Sequence, residues 1–554
     1  MTWRVLLLVG LAVGVASSSH AQAFGACETG TAQRFVENSV LRFSVFNTGG
    51  LFFGGSTTSG DGYLIPKQNG TSPIFAAGLW LGGRVDGELR VAAARYGSWD
   101  FWPGPLEDAA DPPTDCSTHD RIYVVSRDDI RRYYQTGELT DDLRDWPHQL
   151  GAPVLDGDGD STNYDLRAGD QPDLIGDTAA WWVMNDAGND HGISGPNGPL
   201  GVEVRAQAFV YGETGTPFSP ALDQTTFIRY EIENRGDRLV DSMYATFYTD
   251  PDLGDAGDDF VGSDTLRNLL FVYNATNMDG TYGVAPPAQG FQVLQGPVGL
   301  ANGRDDDFDG VVDEPGERLG ATSIAPFNLD PFAGQDPSAD EHFDVYMRGT
   351  WGREPYRAYG NGYYTSGAPT RFFFTGDPVT GQFWSEVNVD SMGTPNWAGD
   401  RRAVISSGPF RLTPGASTTI LYALPHAQGT SNLNSVSVLR GYASMLQALA
   451  ENRFYRGRLV EASRLDSSFE LALSQPRPNP SRQPEVLLTL PEETHVRATV
   501  YDALGRQLEL VVDRRLPEGE TVLTMPGGLA PGTYVLRVRV EPGGEEALSF
   551  TVVR

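Results

Sequence analysis

Thr226-Phe227-Ile228-Arg229-Tyr230-Glu231-Ile232-Glu233-Asn234 alternates apolar and polar side chains along its whole length. A repeat of two places the apolar set on one face of a β-strand and the polar set on the other. Upstream, Val202 to Tyr211 alternates in the same way, and the two read as antiparallel strands with one wet face. Working outward, strand-like stretches recur at Phe43–Asn47, Thr178–Asp186 (ending in a polar turn), Met243–Tyr248, Leu269–Asn274 and Thr418–Leu424. Ile74 to Gly83 is an apolar run ending in glycines, and Arg84 to Val91 fits a hairpin turning at Asp86-Gly87. Asp128 to Arg144 is charged and reads as a short helix or irregular segment, and Asp330 to Asp344 as a long loop. One stretch has convincing helical spacing: Asn434 to Phe454, with Val436, Leu439, Tyr442, Leu446 and Leu449 on one side and Asn432 or Asn434 as its cap. The fold class that follows is mainly β: tandem antiparallel β-sandwich domains, one late helix, and a small immunoglobulin-like β-sandwich at the C-terminus.

That last unit is the most legible part. After Arg477-Pro478-Asn479-Pro480 come alternating strands at Val486–Leu490 and Val496–Tyr501, then a turn at Asp502-Ala503-Leu504-Gly505-Arg506. Leu529-Ala530-Pro531-Gly532 launches a strand with Tyr534, Leu536, Val538 and Val540 on one face and Arg537 and Arg539 on the other. With its PNP opening, YDALGR turn and LAPGTYVLRV strand, the tail resembles the C-terminal (type A) sorting domain of type IX secretion cargo. The resemblance covers only this tail and implies export, with the type IX secretion machinery as partner. The body, through FAAGLWLGG, TAAWWVMND, DPDLGDAGDDFVGSD and SGPFRLTPG, resembles a group of uncharacterised exported proteins of Bacteroidetes-like bacteria. That resemblance implies extracellular β-rich cargo without an assigned reaction. The expected organisation is a signal peptide over 1–23, a β-rich N-terminal domain over 24–215, and a β-sandwich domain with acidic loops over 216–455. A linker over 456–475 and the sorting domain over 476–554 complete it.

The rest of the sequence agrees with export. Arg4, the apolar Val5–Val15 and the small residues Ala21-Gln22-Ala23 make a signal peptide (Ser19-His20-Ala21 is a competing cleavage site), and its apolar core is too short for a stable span. No other segment approaches transmembrane length, so the mature form is expected to have no membrane span. The only cysteines, Cys27 and Cys116, could pair in an oxidising compartment, tying the mature N-terminus to the first domain, or stay as two free buried thiols. A formal net charge of −31 rules against nucleic acid, whose phosphates need a basic face. Lys67 is the sole lysine, so the cationic side chains are otherwise arginines.

The sharpest chemical signal is acidic. Asp305, Asp307 and Asp309 alternate, Gly310 permits a reversal, and Asp313 follows. Alternate carboxylates in a tight loop, with a backbone carbonyl such as that of Val311, supply the hard oxygens that Ca2+ takes. The pattern resembles EF-hand and thrombospondin type 3 calcium loops, and Gly316 in place of a bidentate glutamate favours the latter. A second cluster, Asp156, Asp158 and Asp160 with Asp165, has Ser161 where glycine is expected. Asp250, Asp252, Asp255, Asp258, Asp259 and Asp264 are dense without a recognisable ligand spacing.

No nucleophile elbow, clustered histidines or phosphate-cradling glycine loop accompanies these. Asp186, Asp190 and His191 beside Trp181 and Trp182 could serve a glycosidase, or simply end a core strand in a polar turn. Tyr96, Trp99, Phe101 and Trp102 could stack on sugars or pack a core. The resulting expectation is a secreted or cell-surface, calcium-stabilised β-sandwich protein with a structural or adhesive role. A protein that binds surface polysaccharide, or a glycoside hydrolase, is the alternative.

Overall fold

The computed structural model describes residues 27–553 apart from 55–61, 108–114, 213–218, 300–315, 328–335, 351–356, 359, 361–368, 454–471, 474–481, 491–493, 503–506, 518 and 542–543. The expected signal peptide, most of the linker, the Pro478-Asn479-Pro480 opening and the Asp305–Asp313 loop with Val311 lie outside the described residues.

The body is a sandwich of two antiparallel sheets. In chain order its main strands are β1 (Gln33–Glu37), β2 (Arg42–Phe46), β3 (Gly50–Leu51), β4 (Ala76–Val85), β5 (Glu88–Arg95), β6 (Trp102–Pro103), β7 (Tyr123–Ser126), β8 (Thr178–Asn185) and β9 (Val202–Val210). There follow β10 (Thr225–Asn234), β11 (Val240–Asp250), β12 (Asp259–Asp264), β13 (Leu269–Asn274), β14 (Ala288–Gln295), β15 (Ser323–Phe327), β16 (Arg402–Leu412) and β17 (Ser417–Ala427). The first sheet runs β1-β2-β3-β4-β11-β16-β15, with β5 also on β4; the second runs β12-β13-β14-β17-β10-β9-β8-β6, with β7 on β8.

The expected boundary at 215/216 therefore runs through the second sheet. β9 and β10 pair along their length, Val202 against Asn234 to Phe209 against Phe227, and β4 pairs with β11 in the first sheet. Alternation identifies a strand and the face it buries; it does not name the strand's partner, and here partners are drawn from both halves.

Apolar side chains from the two sheets meet in one core, Phe43, Leu79, Phe247 and Ile405 from one side and Trp182, Val204, Ile228 and Tyr422 from the other. The outer faces are largely covered too. Helix α1 (Arg127–Thr136) lies next to β7, helix α2 (Asp340–Met347) lays Phe343, Tyr346 and Met347 on Trp80 and Tyr248, and helix α3 (Asn432–Arg453) lays Val436, Leu439 and Ala443 on Leu269 and Phe271. So the expected wet face survives mainly at one end of β9 and β10. There Arg205 pairs with Glu203, Glu231 and Glu233 at 2.6–3.1 Å. Helix α2 replaces the end of the expected loop over Asp330–Asp344, and Ser431 Oγ, accepting from the Asn434 N–H at 3.1 Å, caps the late helix where Asn432 or Asn434 was expected. The Asp86-Gly87 hairpin is present: both residues have positive φ, 54° and 85°, as a type I′ turn requires.

The tail has its own core. Strands β18 (Glu485–Leu490), β19 (Thr494–Asp502), β20 (Gln507–Leu516), β21 (Gly519–Thr524), β22 (Gly532–Glu541) and β23 (Gly544–Val552) form two sheets, β20-β19-β22-β23 and β18-β21. Tyr534, Leu536 and Val538 point into that core, while Arg539 is exposed. Ala472 and Leu473, expected in the linker, pair with Thr489 and Leu488, so the tail's sheets begin earlier than residue 476.

One buried group sets a pH dependence. His426 lies on β17 with Nδ1 3.1 Å from Gln289 Oε1, and burial in this apolar setting pushes its pKa down to about 3. The unfolded chain binds the proton near the ordinary value of about 6.5. Between those values the unfolded state holds more protons, so stability falls as pH falls below about 6.5. At about 1.4 kcal/mol per unit, acidification to pH 5 is expected to cost roughly 2 kcal/mol through this residue. Urea unfolding at pH 7 and pH 5 checks this: His426→Gln should lose that part of the slope, and an unchanged slope would refute the assignment.

Candidate metal sites

The loop from Asp156 to Asp170 is closed by a short ladder, Val154 against Pro172 and Leu155 against Gln171. Continuing that register sets Asp170 opposite Asp156. Carboxylate oxygens of Asp156, Asp158 and Asp170 all lie within 4.8 Å of one another. Asp170 is 1% exposed and accepts from the Gly157 and Asp165 N–H groups at 2.9 and 2.6 Å; Asp156 accepts from Asp158 and Gly159. Gly157 is needed, because a Cβ there would sit 2.4 Å from the Gly169 backbone.

Two expected ligands are not in this group. Asp160 turns its carboxylate to the N–H and hydroxyl of Thr162, which hold its pKa below the usual range, and Asp165 accepts from the Arg167 N–H. The ladder brings in Asp170 instead. The surviving set of three hard carboxylates, still with free lone pairs, fits the donor chemistry of calcium.

A second group forms from parts distant in sequence. Asp250 ends β11, Asp252 follows it, and Asp400 precedes β16; their carboxylates also lie within 4.8 Å of one another. Arg402 reaches Asp400 at 3.0 Å, Asp250 at 3.4 Å and the Tyr96 hydroxyl at 2.6 Å, while that hydroxyl donates to Asp250 Oδ2 at 2.8 Å. Burial pushes the Asp250 carboxyl up to about 8; Arg402 opposes this, and the Asp252 and Asp400 charges add to it. Asp252 is raised to about 6, by burial and then by Asp400. Sequence reading singled out Asp250 and Asp252 but had no signal for Asp400. The other acidic residues of that stretch go elsewhere: Asp264 pairs with Arg267 and Arg440, and Asp258 accepts from Asn274.

Asp186 and His191 are structural. The Asp186 carboxylate accepts from the N–H groups of Leu200, Gly201 and Val202, and the His191 ring bridges the carbonyls of Val91 and Asp186 at 2.7 Å each. Both are buried, as are Phe101 and Trp102, while Tyr96 and Trp99 are half-buried and Asp190 is exposed. Cys27 and Cys116 are joined as a disulfide and pack with Trp102.

No protein-family model matches the chain, and no curated protein matches it. Among solved structures it is similar to a polysaccharide lyase at 9% identity and a TM-score of 0.18, over 67% of this chain and 39% of the lyase. It is also similar to the adhesin domain of Epf from Streptococcus pyogenes, at 7% identity and a TM-score of 0.13, over 60% of this chain and 80% of that one. Dimeric latent PorU from Porphyromonas gingivalis gives 10% identity and a TM-score of 0.13, over 68% of this chain and 31% of that one. This chain thus spans about two fifths of the lyase's length. Likeness at this level carries no argument about activity, so function is argued from the residues.

Proposed function

We propose that this is an exported, calcium-stabilised β-sandwich protein with a structural or adhesive role outside the cell, delivered by the type IX secretion machinery through its C-terminal sandwich. The observation that carries the reading is the disulfide. The chain's only two cysteines are 89 residues apart in sequence and are joined, and such bridges persist in oxidising compartments. Two further features support it. The tail packs its own core around the Tyr534, Leu536 and Val538 of the sorting-like strand. The Asp156, Asp158 and Asp170 oxygens are a donor set suited to a cation that extracellular fluids supply.

Export is tested in a bacterium that has a type IX system, by fractionating cells that express either the full chain or a form ending at residue 471. The full chain should reach the surface or medium with the tail removed, and the shortened form should stay in the periplasm. Equal export of both forms would overturn the sorting role of the tail, and retention of both inside the cell would overturn the proposal as a whole.

A further inference from the structure

We propose that Asp250, Asp252 and Asp400 form a second divalent-cation site, one that takes a hard cation such as calcium and pins the end of β11 to the start of β16. It goes beyond the loop at Asp156–Asp170 and shares no residue with it.

The argument begins with an imbalance of charge. Asp250, Asp252, Asp400 and Asp336 gather around two guanidiniums, Arg402, which is 3.8 Å from Asp336, and Arg95, which is 3.4 Å from it. Four carboxyl groups against two guanidiniums leave an excess of acid in a region where Asp250 is 2% exposed. The second observation is an orphan. Asp250 Oδ2 takes the Tyr96 hydroxyl and Arg402, but Asp250 Oδ1 is buried and has no hydrogen-bond partner. A buried carboxylate oxygen without a donor is costly, and a bound cation removes that cost.

The scaffold also fixes this placement. Asp259 at the start of β12 accepts the Leu253 N–H on Oδ2 at 3.1 Å and the Gly399 N–H on its carbonyl at 3.2 Å. Leu253 adjoins Asp252 and Gly399 adjoins Asp400, so one buried residue sets the two loop carboxylates relative to each other. Asp252 and Asp400 are only partly buried, which leaves a solvent side from which water could complete the six to eight oxygens calcium takes.

The experiment uses the full mature protein, stripped with chelator, with terbium as the probe and calcium as competitor. Bound terbium is counted by equilibrium dialysis, and its luminescence is read on exciting tyrosine, since Tyr96 touches Asp250. The double variant Asp252→Asn/Asp400→Asn should lose one equivalent of terbium, and Asp400→Asn alone should weaken that equivalent about tenfold. Tyr96→Phe should dim the luminescence without changing the count. An unchanged count in the double variant would overturn the site and leave Arg402 and Arg95 as the counter-charges. Asp158→Asn is titrated beside them: a lost equivalent there supports the Asp156–Asp170 loop, and an unchanged count refutes that loop without touching this site. Should the double variant misfold by circular dichroism, Asp400→Asn decides, because its carboxylate is 43% exposed and its loss leaves no buried gap.

Discussion

Glu386→Ala is expected to destabilise the body by about 3–5 kcal/mol, the range for breaking a buried ion pair from one side. Glu386 is fully buried and accepts from Arg401 at 3.0 Å, the Asn396 side chain at 2.8 Å and the Val261 N–H at 2.5 Å. Its removal takes the carboxylate from a guanidinium that is itself 5% exposed and keeps the Trp397 carbonyl as an acceptor, and it leaves a strand N–H on β12 without its acceptor. Arg401→Met removes the other half and should cost less than Glu386→Ala, because the carboxylate keeps two donors. The double variant should be more stable than the sum of the single losses implies, with a coupling of at least about 2 kcal/mol, since neighbours in one network are not additive. Denaturant midpoints at constant slope measure all three. Strict additivity would show that the pair does not act as a unit. Glu386 also anchors the segment that carries Asp400, so terbium binding at the Asp250 group should weaken in the same variant.

How far the sequence foretold this arrangement can be judged residue by residue. Local chemistry was legible. Asp86-Gly87 made its hairpin because both positions tolerate positive φ, and Tyr534, Leu536 and Val538 faced inward because period two allows nothing else. Long-range partnership was not. Alternation in β9 and β10 could not reveal that their sheet continues into β17, nor that helices would cover faces expected to be wet. Helix α2 was missed although Phe343, Tyr346 and Met347 carry helical spacing, because the acidic residues around them read as loop. The metal candidates divide the same way. Asp156 and Asp158 lie in one turn and carry a readable spacing; Asp170 needed the ladder at Leu155–Gln171, and Asp400 needed β11 to pair with β16. Carboxylates that converge through sheet register leave no spacing to read.

Loss of the Cys27–Cys116 disulfide should cost the body roughly 4–5 kcal/mol, from the loop entropy that a bridge of this sequence separation removes from the unfolded chain. Two side effects set the sign and size. Cys27 and Cys116 pack against Trp102, and the Cys27 N–H donates to the Gly188 carbonyl at 2.8 Å, so the bridge also holds the N-terminal segment against the turn after β8. A Cys27→Ala/Cys116→Ala variant keeps that backbone bond but loses the tether, and Asn189, which donates to the Cys27 carbonyl at 3.0 Å, should become more mobile. The check is unfolding in guanidinium with and without a reducing agent. Wild type should fall to the variant's midpoint on reduction, while the variant should not move. If reduction left the wild type unchanged, the bridge would contribute nothing, and the export reading would lose the observation on which it rests. A matching fall would instead mean that the body reaches its working stability only where thiols are oxidised. A protein built that way has its folded state set by the compartment to which the tail is proposed to send it.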